Sequence, residues 1–191
     1  MMTTSTLLTA DQYLMLGEDP PGIRLELVHG KIYLCSKHDH SYEHCYARTQ
    51  LQCILANLIY ENDLGAIVGD YDVILDNANV RRPDIIFIAK ENLHRLDPKK
   101  HGIRFPPDLC VEIISPGSAT MDQTDKFDLY AKSGVPHYWL VDPLHRTFTA
   151  YSLTRKRYFK TTSGTTNDTV SALPFAEQSI PLSRLWVPER P

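Results

Sequence analysis

The chain reads as an α/β protein: a mixed β-sheet core flanked by helices, with extra β-hairpins. Three observations predict this. Residues 42–62 carry apolar side chains at three-to-four spacing, the signature of a helix with one buried face. Residues 109–114 form a nearly unbroken apolar run, as in a strand buried on both faces. Helical and strand patterns interleave, with no linker and no internal repeat between them. At 191 residues the chain suits one domain, with a helix and hairpin over 9–35, a core over 41–143 and a C-terminal hairpin and tail over 144–191.

The elements follow in order. Thr9 is an N-cap for a short helix over 10–16, which Gly17 and Pro20-Pro21-Gly22 end. Two apolar-rich runs, 25–28 and 31–34, join through His29-Gly30 as a hairpin. Ser41 caps the helix over 42–62, whose buried face is Ala47, Leu51, Ile54, Leu55 and Leu58. Residues 66–75 and 82–88 read as two strands around a turn at Asp76-Asn77-Ala78-Asn79, followed by a charged loop over 90–107. After the strand at 109–114, Ser115-Pro116-Gly117 breaks the chain. A helix over 121–133 ends at Gly134. A strand over 138–141, a hairpin over 147–153 and 158–162, and a helical turn near 182–186 complete the prediction.

Composition excludes several classes. Hydrophobic residues make up 42% and charged residues 23%, an ordinary globular balance. No apolar run reaches the ~20 residues of a membrane helix. The first ten residues have neither a basic start nor a long apolar stretch, so no signal peptide and a cytoplasmic location are expected. The net charge of -3 argues against a protein that coats nucleic acid by charge alone. Four cysteines without a CxxC pair are expected to be reduced thiols. Cys35, His38, His40, His44 and Cys45 fall close together, but their spacing matches no zinc-finger pattern, and His44 lies near the apolar helix face, where a core histidine is expected.

There is no GxxxxGK, GxGxxG, HExxH or GxSxG motif, so chemistry is sought in carboxylates and lysines. Glu26, Asp84 and Glu112 each stand within or beside an apolar strand. A carboxylate in such a place requires a cation, a metal or hydrogen bonds. Lys126 and Tyr130 are four apart on one helix face, with Asp122 four residues before. A plain ion pair answers several of these: Glu26 with Arg24 or Lys31, Lys126 with Asp122, Asp84 and Glu112 with Arg81 or Arg82. Tyr130, Tyr138 and Trp139 also read as packing residues.

Four segments resemble the Uma-two family of restriction-endonuclease-like proteins, in the PD-(D/E)XK nuclease superfamily. They are Leu25-Glu26-Leu27-Val28-His29-Gly30, Arg82-Pro83-Asp84-Ile85-Ile86-Phe87, the run from Pro107 to Pro116 around Glu112, and the run from Asp122 to Pro143 that holds Lys126, Tyr130, Gly134-Val135-Pro136 and Tyr138-Trp139-Leu140-Val141. The resemblance implies a restriction-endonuclease-like fold and a Mg²⁺- or Mn²⁺-dependent endonuclease acting on DNA. It implies Asp84, Glu112, Lys126 and Glu26 as catalytic residues, with Asp84, Glu112 and Glu26 as metal ligands. His40, Arg82 and Tyr130 are the expected substrate contacts. Two positions depart from the family pattern. Ile114 stands where the usual lysine would follow Glu112, so Lys126 takes over that role, and His137 stands where a glutamate is common. A homodimer is expected, through the tail at Trp186 and the hairpin at Tyr158-Phe159. The rival reading is a non-catalytic interaction or dimerisation module that keeps the fold.

Overall fold

The computed structural model describes residues 7–36, 41–115 and 124–188. Helix α1 (Ala10–Leu14) starts at a capping box in which Thr9 and Gln12 satisfy each other's backbone N–H groups. Strands β1 (Ile23–Val28) and β2 (Lys31–Ser36) form the expected hairpin, with His29 and Gly30 both at positive φ as a tight turn requires. Helix α2 (Tyr42–Glu61) starts at Ser41, whose hydroxyl accepts the His44 N–H, and buries His44, Ala47, Leu51, Leu55 and Ile59.

The run predicted as one strand over 66–75 is two. Strand β3 (Gly65–Val68) and strand β4 (Val73–Asp76) belong to different sheets. The break falls at Gly69-Asp70, where Asp70 has a positive φ. The run predicted over 82–88 is strand β6 (Ile85–Ala89), starting three residues later, and a short strand β5 (Asn79–Arg81), not predicted, precedes it in the other sheet. Pro83 lacks the N–H a continuous strand would use there. The charged loop after β6 begins with a 3-10 helix (Lys90–Arg95). Strand β7 (Leu109–Ile113) is buried along its whole length. Helix α3 (Lys126–Ser133) ends at Gly134, whose φ of 88° is the left-handed turn predicted there. The start of the helix predicted over 121–133 lies partly outside the described residues.

Strands β8 (His137–Asp142), β9 (Thr147–Thr154) and β10 (Arg157–Thr165) follow. A further hairpin of β11 (Thr169–Ala172) and β12 (Phe175–Pro181) was not predicted; its alternation is short and broken by Pro174. A closing 3-10 helix covers Leu182–Leu185.

Among the described residues the main sheet has six strands in the order β10-β9-β8-β7-β6-β3. β7 and β8 run parallel, with α3 crossing between them, and the other pairs are antiparallel. This is the mixed, helix-flanked sheet that the sequence predicts. A second sheet has the order β2-β1-β5-β4. The core joins α2, the main sheet and the tail: Leu51, Leu55, Val111, Trp139, Phe148, Leu185 and Trp186 share one cluster. Trp186 is 5% exposed and its indole N–H donates to the Thr166 carbonyl, while Tyr158 is buried and donates to the Val135 carbonyl. The expectation that both serve a dimer surface is therefore corrected: these rings fill the protein's own core, and of that set Phe159 alone is exposed. No helix among the described residues is long and apolar enough to cross a membrane.

Candidate active site

The two sheets bring three carboxylates together. Ile85 pairs with Val111 in the antiparallel β6–β7 ladder, so one step outward Asp84 stands opposite Glu112. The Asp84 carboxylate accepts the Ile113 N–H at 2.8 Å, across that same edge. Gly69 lies directly behind: a Cβ there would come within 2.6 Å of the Asp84 carbonyl oxygen, so the close approach of the β3 end requires glycine. Glu26 arrives from β1 of the other sheet, where Leu27 pairs with Val80 of β5.

Each carboxylate has its own donors. Glu112 accepts from the Lys126 ammonium at 2.8 Å on Oε2 and from the Tyr130 hydroxyl at 2.7 Å on Oε1. The i,i+4 spacing on α3 places these two donors one above the other, each over one carboxylate oxygen. Glu26 accepts from Arg81 Nη1 at 3.0 Å and from the Arg82 backbone N–H at 3.2 Å, with Arg24 at 3.7 Å. His44 Nε2 lies 3.4 Å from Asp84 Oδ2.

The electrostatics follow from this packing. Burial alone would raise the pKa of Asp84, but the His44 contact, the Ile113 N–H and the Lys126 charge overcome it and push the group down to about 2. Burial likewise opposes ionisation of Glu26, and Lys126, Arg24 and Arg81 reverse that, holding it below the usual carboxylate range. Burial and the Glu112 charge push the Tyr130 hydroxyl well up, so it remains a donor. Three carboxylates thus meet three permanent cations: Arg24, Arg81 and Lys126. The exposures of Glu26, Asp84, Glu112 and Lys126 are 0%, 4%, 2% and 3%. The four are gathered, but beneath the surface.

Of the expected substrate contacts, Tyr130 is in this cluster and His40 lies outside the described residues. Arg82 turns the other way, to Asp72 at 2.7 Å and Asp19 at 2.5 Å. Those groups line a separate cleft of about 630 Å³ with Tyr13, Tyr71 and His101. Ile114 and His137 fall outside the set of groups that touch the acids. Arg24 pairs with Glu26 as the plain ion-pair reading expects, Arg81 was expected at Asp84 or Glu112 and instead meets Glu26, and His44 was not expected at the acids at all. Arg24 precedes Glu26 by two positions and so shares its strand face, a legible signal. His44 reads as a core histidine and is buried at 2%, yet it faces Asp84. Arg81 gives no signal that separates it from Arg82.

Hard anionic oxygens suit Mg²⁺, which commonly takes one or two carboxylates together with substrate phosphate. Asp84 and Glu112, on neighbouring strands, fit that requirement. Among the described residues no three His, Cys, Asp or Glu side chains are grouped so as to hold one ion. Among the described residues Cys35, His44 and Cys45 are not grouped so as to hold one ion either.

The family model described as "Putative restriction endonuclease", Uma2, matches residues 10–183. The chain belongs to the Uma2 family. Among solved structures, one described as a putative nuclease from Anabaena variabilis is similar with a TM-score of 0.74 at 19% identity, over 93% of this chain and 97% of that one. No curated protein matches the chain. Family and fold together make this a member of a restriction-endonuclease-like group.

Proposed function

We propose that this Uma2 protein is a divalent-metal-dependent phosphodiesterase, acting on DNA as an endonuclease, with its reaction centre at Asp84, Glu112 and Lys126. The observation that carries the reading is the buried Glu112 carboxylate, gripped by Lys126 and Tyr130 and set opposite Asp84. A buried ion pair adds little net stability compared with apolar packing. Its placement near the end of an interior strand, opposite a second acid, suits chemistry better than support.

Asp84 and Glu112 would hold Mg²⁺ or Mn²⁺, which supplies charge neutralisation at the phosphate and an acidified water. Lys126 holds a positive charge at the Glu112 oxygen and is placed to stabilise charge developing on the phosphate. Tyr130 fixes Glu112 in orientation, and Glu26, through Arg81 and the Arg82 N–H, fixes the strand that presents Asp84. His44 lies against the same Asp84 oxygen that accepts the Ile113 N–H.

The test is DNA cleavage in Mg²⁺ and in chelator by the wild type, Asp84→Ala and Lys126→Ala, with near-ultraviolet dichroism to establish that each variant is folded. Cleavage falling by about 10²-fold or more in both variants is expected. Equal activity in all three proteins refutes the assignments.

A further inference from the structure

We propose that Lys31 and Tyr33, on the β1–β2 hairpin, form a strip that takes a single nucleic-acid strand beside the acid cluster, Tyr33 stacking on an unpaired base and Lys31 meeting a backbone phosphate. The proposal rests on the phosphodiesterase reading and names the form of the substrate.

The argument begins from register. Glu26 pairs with Tyr33 and Val28 with Lys31, so the Glu26, Tyr33 and Lys31 side chains share one face of the hairpin. Glu26 is fully buried on that face, while Tyr33 is 42% exposed and Lys31 is exposed. The face therefore runs in a few residues from the buried acids to solvent, with an aromatic ring at the boundary. Among the described residues β2 is the edge strand of its sheet, so no neighbouring described strand covers the ring from the side. Arg24, opposite Cys35 on the same face, already pairs with Glu26 and Asp70, which leaves Lys31 as the cation the strip offers to a phosphate. An exposed ring beside a cation is an arrangement that binds single strands: the ring stacks on a base and the cation meets the backbone. Duplex DNA hides its base faces within its own stack, so a ring at the edge of a buried site favours a strand with unpaired bases.

The experiment is a binding titration in chelator, where no cleavage intervenes. Fluorescein-labelled oligothymidine and a duplex are titrated into the wild type, Tyr33→Ala, Tyr33→Phe and Lys31→Gln over a range of salt. Tyr33→Ala should weaken single-strand binding about tenfold without changing its salt slope, and Tyr33→Phe should retain binding. Lys31→Gln should reduce the slope by about 0.7, the value for one phosphate on a single strand. Duplex binding should not respond to Tyr33. Single-strand binding unchanged in Tyr33→Ala, an equal loss in Tyr33→Phe, or a mass change on gel filtration in place of a binding change overturns the proposal; the last assigns the strip to a second copy of the chain. Loss of the phosphodiesterase reading would be seen separately, as absence of metal-dependent cleavage of either DNA by the wild type.

Discussion

Replacing Lys126 by methionine keeps the length of the side chain and removes its charge. The ammonium lies 2.8 Å from Glu112, and the two side chains are 4% and 2% exposed. Solvent therefore cannot compensate the carboxylate left behind. Breaking a buried pair from one side costs about 3–5 kcal/mol. Tyr130 still donates to the other Glu112 oxygen, and Arg24 still acts on the carboxylate from a distance, which favours the lower end. A loss of about 3 kcal/mol lowers Tm by about 6–12 °C for a chain of this size. Urea melts of the wild type, Lys126→Met, Glu112→Gln and the double variant provide a cycle. The double variant should recover most of the loss, because both charges leave together. Millimolar Mn²⁺ should raise the Tm of Lys126→Met more than that of the wild type, since a divalent ion can replace the missing charge. A single variant within about 0.5 kcal/mol of the wild type would be the behaviour of a surface lysine, and would refute the reasoning.

Three further outcomes are expected. Asp84 falls from 3.8 in its ordinary state to about 2 in the fold, so its stabilising contribution of about 2 kcal/mol is present above about pH 4 and is lost as pH falls toward 2; in acid titrations Asp84→Asn should show a shallower loss over that window. Arg82→Met should cost about 2 kcal/mol in urea melts, because Asp72 and Asp19 lose a charged donor, while cleavage per folded molecule stays at the wild-type level. Trp186→Ala should lower stability by about 3–5 kcal/mol in the same melts and leave the gel-filtration mass unchanged, since the ring belongs to the core.

The parts of the fold that were legible are those where local chemistry and burial agree. Thr9 and Ser41 mark helix starts because their oxygens satisfy orphan N–H groups, and Gly134 marks an end because the turn there is left-handed. The sheet exchange was not legible, since β3 and β4, or β5 and β6, carry the same β-rich composition on either side of the break. A positive φ at Asp70 and a missing N–H at Pro83 divide them, and periodicity registers neither. The site followed the same rule. Glu26, Asp84, Glu112 and Lys126 stand out as charges among apolar neighbours, so their convergence was predictable. Their partners were less so. Arg81 and Arg82 are adjacent and alike, and only the strand's alternation sends one to Glu26 and the other to Asp72.

The order in which these charges appear along the chain has a consequence for how the molecule is made. During synthesis Glu26, Asp84 and Glu112 all emerge before Lys126, and Glu112 precedes it by fourteen residues. Arg24 and Arg81 are already present to accompany Glu26, while the ammonium and hydroxyl that grip Glu112 arrive only with α3. The crossover from β7 to β8 is therefore the step that brings Glu112 these donors. A nascent chain halted before α3 would keep an open, solvated strand edge at β7, and the centre would come into being only with the last of its cations.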